Sequence, residues 1–338
     1  MRRLTLILSD LYVPEDATRA VSPAAFDLPA LEWLLRFARR PAAHCPDWRA
    51  WLATQTGHVA LAQSPVAQVA ARALMESTTG AWIATPVHLE ARLDHVRLAD
   101  RGLLRVGADE EQRWSEAFAR EFGPEVKLHP AGERGFLLTG IEAADTRTTD
   151  PARLLDSDVA PALPRGAGAG GLRRLGAELE MWLHATPLND ERQRAGQPRI
   201  SAFWFWGGDK VHGDSVPGSL SPPGSFEIHG ADPWLSGLAH AAGATANKHV
   251  ADFDAIDLDS GHHIVELTPM SAPRESLLDV ESRWFAPARI ALSEGKLESI
   301  DIIANDRWFR IGARAGWRWW RGKRGWFESL SRPASSKA

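Results

Sequence analysis

The sequence predicts an α/β fold, with a mostly parallel β-sheet, helices on both of its faces and a small inserted α+β domain. Apolar runs of strand length alternate with helical segments along most of the chain, and such alternation is typical of parallel sheets. Residues 81–142 break the alternation, because several short strands there surround a single helix. That change predicts a separate inserted domain.

The first part of the core is assigned to residues 1–80. The apolar run 4–8 reads as a buried strand and ends at Ser9 and Asp10. Helical segments follow over residues 28–40, 47–55 and 65–76, and the first repeats leucines at helical spacing.

The inserted domain, residues 81–142, contains strand-like runs over 82–90, 95–100 and 102–106, a helix over 109–122 and further strands over 126–130 and 134–140. Asp109 is a suitable N-cap for the helix.

The second part of the core is assigned to residues 143–312. A linker (143–171) precedes a helix over 172–183, and the aromatic run 200–206 is expected to be a central buried strand of the sheet. After a polar loop (209–225) come strands near 226–230, 262–269 and 297–306, separated by helices over 233–242 and 277–292. The carboxyl ends of such strands are where parallel sheets bind ligands.

Composition limits the classes of function. With 39 Lys and Arg against 43 Asp and Glu, the formal charge is -4, which argues against a general nucleic-acid binder. A single cysteine excludes internal disulfides. The apolar start is too short for a signal peptide or a membrane span, so a cytoplasmic location is expected.

Three segments resemble a known family. Residues 183–208, LHATPLNDERQRAGQPRISAFWFWGG, resemble the L–H–x–x–P–V–N–x–x–R pattern, ending in W–x–W–G–G, of proteobacterial RpfE-type regulatory or phosphoglycerate-mutase-like proteins. WIATPVHLEARLDHVRLAD (82–100) and VESRWFAPARIALSEGKLESIDI (280–302) resemble two other segments of that family. More remotely, the family is similar to the archaeal type of cofactor-independent phosphoglycerate mutase, with an alkaline-phosphatase-like core and an inserted cap.

The resemblance implies a site with two divalent metals held by Asp and His and a serine that is transiently phosphorylated. Asp10 matches the first ligand, but Arg307 follows Asp306 where the mutases have a histidine, and the segment 268–271, TPMS, replaces another Asp and His. Ser64 is the candidate nucleophile. An arginine cannot ligate a metal.

The implied function is therefore a non-catalytic regulatory or binding protein with a degenerate site, which needs no cofactor and recognises a protein partner or a small anionic ligand. The alternative is a metal-dependent phosphotransferase, a 2,3-bisphosphoglycerate-independent mutase or a phosphatase, with a rewired site that takes Mn²⁺ or Zn²⁺.

Residues 252–263, DFDAIDLDSGHH, form the densest group of potential metal ligands. Asp254, His262 and His263, together with Asp10 and Asp306, could hold Mn²⁺ or Zn²⁺. The other interpretation is an acidic surface loop before a strand.

A second group, in the family-like segment, could bind an anion. Asn189 and Arg192 offer donor groups, and Gly207 and Gly208 allow close backbone approach at the end of the following strand. Alternatively, Asn189 caps a turn and Arg192 pairs with acidic neighbours.

The C-terminal tail, residues 313–338, is basic and rich in tryptophan. It could dock an acidic partner or a membrane surface, or pack on the sheet as a last strand. We expect Trp317 and Trp319 to be buried and the segment from Arg321 onward to be exposed. No sequence-specific binding of nucleic acid is expected.

Overall fold

The structure, a computed structural model, describes residues 2–12, 27–39, 43–45, 47–76, 80–208, 225–247, 250–268, 273–314 and 320–331. The chain divides into two compact units. The first comprises Met1–Gly57, Val216–Gly230 and Ala244–Ala338, and the second comprises His58–Ser215 and Ala231–Gly243.

The strands of the described residues are β1 (Arg3–Leu8), β2 (Ala43–His44), β3 (Trp82–Ala91), β4 (Val96–Leu103), β5 (Lys127–Pro130), β6 (Phe136–Thr139), β7 (Thr146–Arg147), β8 (Arg165–Gly166), β9 (Ala202–Trp206), β10 (Phe226–His229), β11 (Thr245–Asn247), β12 (His262–Leu267), β13 (Ser299–Ala304) and β14 (Arg307–Gly312). Their helices are α1 (Pro29–Phe37), α2 (Trp48–Gln55), α3 (Val59–Ala62), α4 (Val66–Ala71), α5 (Ala108–Phe122), α6 (Ala169–Ala185), α7 (Pro187–Arg194), α8 (Pro233–Ala242), α9 (Pro273–Val280), α10 (Ala286–Ser293) and α11 (Trp326–Ser331). A π-helical turn, Glu281–Phe285, joins α9 to α10.

The first unit is built on a seven-stranded sheet in the order β11-β10-β12-β1-β13-β14-β2. The five strands from β11 to β13 are parallel, whereas β14 and β2 add antiparallel pairs at one side. All six residues of β1 are buried, as expected for a strand covered on both faces. The predicted mixed α/β class with a mostly parallel sheet is confirmed.

Helices cover both faces of this sheet. On one face, Leu4 and Leu6 of β1 share a core with Leu31 of α1 and Leu292 of α10. On the other face, Trp51 of α2 packs on Trp308 of β14 with ring centroids 5.2 Å apart.

The second unit contains an antiparallel sheet in the order β4-β3-β6-β5, with β9 also paired to β3. The burial predicted for β9 is confirmed, since all five of its residues are buried. Its predicted place in the parallel sheet is wrong: Trp206 pairs antiparallel with Ile83 of β3. An apolar run indicates burial but does not indicate which sheet buries it.

The compact units also differ from the predicted domain bounds. Residues 58–80 and 143–215 belong to the second unit, whereas the sequence assigned them to the core around residues 81–142. The pairing of β9 with β3 and the packing of α6 against the same aromatic core account for this larger unit.

The described part of the C-terminal tail packs on α1, within the first unit. Trp326 is 4% exposed and Leu330 is fully buried, and the Arg321 guanidinium donates to the carbonyls of Arg36 and Ala38 at the end of α1. The expectation that the tail is exposed from Arg321 onward is therefore wrong for Trp326 and Leu330, whereas Lys323 and Glu328 are exposed as expected. Trp317 and Trp319 lie outside the described residues.

Across the described residues, every helix is too short or too polar to cross a membrane.

Candidate functional site

The carboxyl ends of β12, β1 and β13 lie side by side in the first unit and form the candidate site. The Ser9 amide donates to the Leu267 carbonyl at 3.1 Å, and the Asn305 amide donates to the Leu11 carbonyl at 3.1 Å. We call this region the carboxyl edge. It is the part of a parallel sheet where ligands bind.

Two carboxylates are buried at the carboxyl edge. Asp10 is 1% exposed and Glu266 is 3% exposed. The Ser9 hydroxyl donates to Oε1 of Glu266 at 2.8 Å. The sequence prediction included Asp10 but missed Glu266, although a lone acidic residue inside the apolar run of β12 was a visible signal.

The last predicted metal position, Asp306, lies in a tight turn. Asn305 and Asp306 have φ angles of 48° and 56° and join β13 to β14 as a two-residue hairpin, a turn that requires such angles. The Asp306 carbonyl accepts from the Cys45 amide at 2.7 Å. The Asn305 side chain donates to the Leu330 carbonyl at 2.8 Å.

Arg307, which follows this turn, binds the C-terminal helix α11 through its side chain. It is 7% exposed, and its guanidinium donates to the Ser329 carbonyl at 3.0 Å. Burial lowers the pKa of Arg307.

The other predicted metal ligands are separated by the strand geometry. Asp254 is exposed on a 3-10 turn. Nε2 of His262 lies 2.9 Å from the Thr5 hydroxyl, and burial, followed by the nearby Arg3 cation, lowers the pKa of His262 to about 3. His263, its neighbour on β12, projects from the opposite face of the sheet.

On that opposite face, His263 meets two residues that the sequence prediction did not include. Glu227, His229 and His263 place their ligand atoms within 4.8 Å of one another. Among the described residues, these three form the one group of potential metal ligands that lie close enough together to share an ion.

The predicted anion-binding residues lie in the second unit and make structural contacts. The Asn189 side chain donates to the carbonyls of Leu183 and Ile200 and accepts from the Ile200 amide. Arg192 donates to the Pro198 carbonyl at 2.8 Å and to Glu110 at 2.5 Å. These contacts differ in detail from the alternative interpretation, because the acidic partner of Arg192 is the distant Glu110 and not a neighbour in the sequence, and Asn189 joins Leu183 to Ile200 and does not cap the turn after Pro187.

The glycines after β9 make the close approaches expected of them. Gly207 has a φ of 75°, and a Cβ added at Gly208 would lie 2.6 Å from the Trp82 ring.

Ser64, the candidate nucleophile, also lies in the second unit. It is half-buried, and its hydroxyl donates to the Ala60 carbonyl at 2.9 Å.

Comparison with known proteins gives distant likenesses among solved structures. No family model matches the chain, and no curated protein matches it. Among solved structures, the chain is similar to the cofactor-independent phosphoglycerate mutase from Thermoplasma acidophilum DSM 1728, with 17% identity, coverage of 92% of this chain and 89% of that chain, and a TM-score of 0.38. It is also similar to the PH0037 protein from Pyrococcus horikoshii, with 13% identity, coverage of 92% and 87%, and a TM-score of 0.46.

Proposed function

We propose that this chain is a phosphoglycerate-mutase-like protein that acts by binding a partner or ligand and does not transfer phosphoryl groups. The hairpin at the end of β13 is the observation that carries the proposal. A histidine ligand would be needed where Arg307 stands, and this guanidinium is buried and donates to the Ser329 carbonyl of α11. The position therefore contributes to the packing of the C-terminal helix instead of to a metal site.

The loss of ligands matters because of how two-metal enzymes work. Two metal ions must be held close together to stabilise both the attacking and the leaving oxygen. Of the described carboxylates at the carboxyl edge, Glu266 already accepts a hydrogen bond from Ser9, and Asp306 is part of the hairpin turn. These contacts favour a structural role for the edge.

The described side chains also bear on the type of ligand. The two side chains predicted to bind an anion, Asn189 and Arg192, both make structural contacts in the second unit. Of the two ligand classes that the resemblance implies, we therefore propose a protein partner and not a small anion.

A turnover assay tests the proposal. Purified protein with added Mn²⁺ is assayed for interconversion of 2- and 3-phosphoglycerate and for hydrolysis of an aryl phosphate. We expect the wild type to show no more turnover than Ser64→Ala. Ser293→Ala is the matched control, because the Ser293 hydroxyl also donates to the carbonyl four residues before it.

The alternative function, a metal-dependent phosphotransferase, predicts the opposite result. Turnover in the wild type and in Ser293→Ala, but not in Ser64→Ala, would overturn the binding proposal and support a catalytic Ser64.

A further inference from the structure

We propose that Glu227, His229 and His263 form a binding site for one transition-metal cation, with Zn²⁺ the best fit. Glu227 and His263 are paired residues on the neighbouring strands β10 and β12, and His229 lies two residues beyond Glu227. Because side chains alternate along a strand, all three project from the same face of the sheet. We call these three residues the triad.

The distances within the triad suit a tetrahedral ion. Nε2 of His229 and Nδ1 of His263 are 3.3 Å apart. Two nitrogens bound to Zn²⁺ at ~2.0–2.1 Å in tetrahedral geometry are separated by about 3.3–3.4 Å. Oε2 of Glu227 lies 3.9 Å from the first nitrogen and 4.0 Å from the second. Glu227 is only half-buried, so its side chain can make the small movement needed for coordination.

The hydrogen bond behind His263 fixes which of its nitrogens faces the triad. Nε2 of His263 lies 2.7 Å from the Asp257 carbonyl oxygen. A carbonyl can only accept, so Nε2 carries the hydrogen and Nδ1 presents a lone pair to His229. Metal-binding histidines are commonly oriented by such a bond to a backbone carbonyl.

His229 provides a second, independent indication. Within the described part of the chain, its buried Nδ1 has no hydrogen-bond partner. If Nε2 donates to His263, the lone pair on Nδ1 is buried without a donor, which is costly. If Nδ1 carries the hydrogen instead, two lone pairs face each other across 3.3 Å. A cation between the two nitrogens removes the repulsion between the lone pairs in the second arrangement, and the Nδ1 hydrogen of His229 is then the group without an acceptor among the described residues.

The types of side chain in the triad also indicate which metal it would bind. Two imidazoles and one carboxylate favour Zn²⁺ over Mg²⁺ or Ca²⁺, which prefer oxygen ligands.

The test is a metal titration of chelator-stripped full-length protein. Co²⁺ is the spectroscopic probe, and Zn²⁺ is used for competition and for thermal shift. We expect one equivalent of Co²⁺ with tetrahedral absorption, displacement by Zn²⁺ and a rise in melting temperature, because a ligand of the native state stabilises it. His229→Gln should lose this binding, and Glu227→Gln should weaken it and change the spectrum.

His240→Gln is the matched control, since His240 is an exposed histidine elsewhere in the chain, and it should bind Co²⁺ as the wild type does. Absence of binding to the wild type would overturn the proposal. If His229→Gln fails to fold, the Co²⁺ affinity and absorption spectrum of Glu227→Gln test the proposal instead. Wild-type affinity and spectrum in a folded Glu227→Gln variant would place the metal elsewhere.

Discussion

Removing the carboxylate of Asp301 should destabilise the first unit more than any single surface change. Asp301, on β13, is fully buried. Its two oxygens accept from Nε of Arg3 at 2.5 Å, from Nε of Arg310 at 2.8 Å and from the Trp308 indole at 2.8 Å. One anion thus holds together the strands β1, β13 and β14.

The loss of stability in Asp301→Ala depends on how deeply the remaining arginines are buried. The Arg3 side chain is 11% exposed, whereas that of Arg310 is 31% exposed and can recover part of its hydration. Asp301→Ala therefore leaves one uncompensated buried charge, and breaking such a buried pair costs about 3–5 kcal/mol. The double variant Arg3→Met/Asp301→Leu removes both charges and should be less destabilised than Asp301→Ala alone.

The assay is urea unfolding combined with hydrogen exchange at β1 and β13, because a chain of two units need not unfold in one step. Asp279→Ala is the control, since Asp279 forms an exposed pair with Arg283, and such pairs contribute roughly 0.3–0.5 kcal/mol. A loss below about 1 kcal/mol in Asp301→Ala, the range of a surface pair, would refute the reasoning. So would a double variant less stable than the single one.

Three further perturbations test other contacts. Both oxygens of Glu281 accept from backbone N–H groups in the first turn of α1, so Glu281→Ala should cost about 1–3 kcal/mol in urea unfolding. Burial raises the pKa of Glu281 in the folded protein. The contribution of its titration to the free energy of unfolding is therefore present at low pH and is lost as the pH rises through the folded-state pKa. Glu281→Gln removes this titration and should flatten that part of the stability–pH curve. A Cβ at Gly237 would lie 1.9 Å from a backbone carbonyl of α4, so Gly237→Ala should lower the melting temperature, whereas Gly176→Ala, in open space within α6, should raise it. Arg321→Glu should lower the melting temperature because the guanidinium caps the last carbonyls of α1, and Lys323→Glu, at an exposed position, should leave it unchanged.

The sequence predicted the elements of the fold better than their partners. The helix expected over residues 109–122 is α5 (Ala108–Phe122), and the strand expected over 82–90 is β3 (Trp82–Ala91). Hydrophobic periodicity is a local signal, and it located the ends of these elements closely. It did not locate β9 in the correct sheet, because the pairing with β3 joins segments that are far apart in the sequence.

The candidate site shows the same division between local and long-range information. The sequence grouped His262 with His263 because they are adjacent, but adjacent residues of a strand face opposite sides. Once 262–267 is a strand, alternation alone separates the two histidines. Finding Glu227 and His229 beside His263 required the register of β10 against β12, and a single sequence does not contain that register in any local pattern.

The position of the triad makes the two proposals independent of each other. His263 and Glu266 are three residues apart on β12, which at ~3.3 Å per residue is about 10 Å along the strand, and an odd separation places them on opposite faces. A metal held by the triad therefore lies on the face of the sheet opposite to the Glu266 and Ser9 side chains. Metal binding without phosphoryl transfer is the outcome that agrees with both proposals. Turnover that survives Glu227→Gln would count against the binding function and leave the metal site untouched.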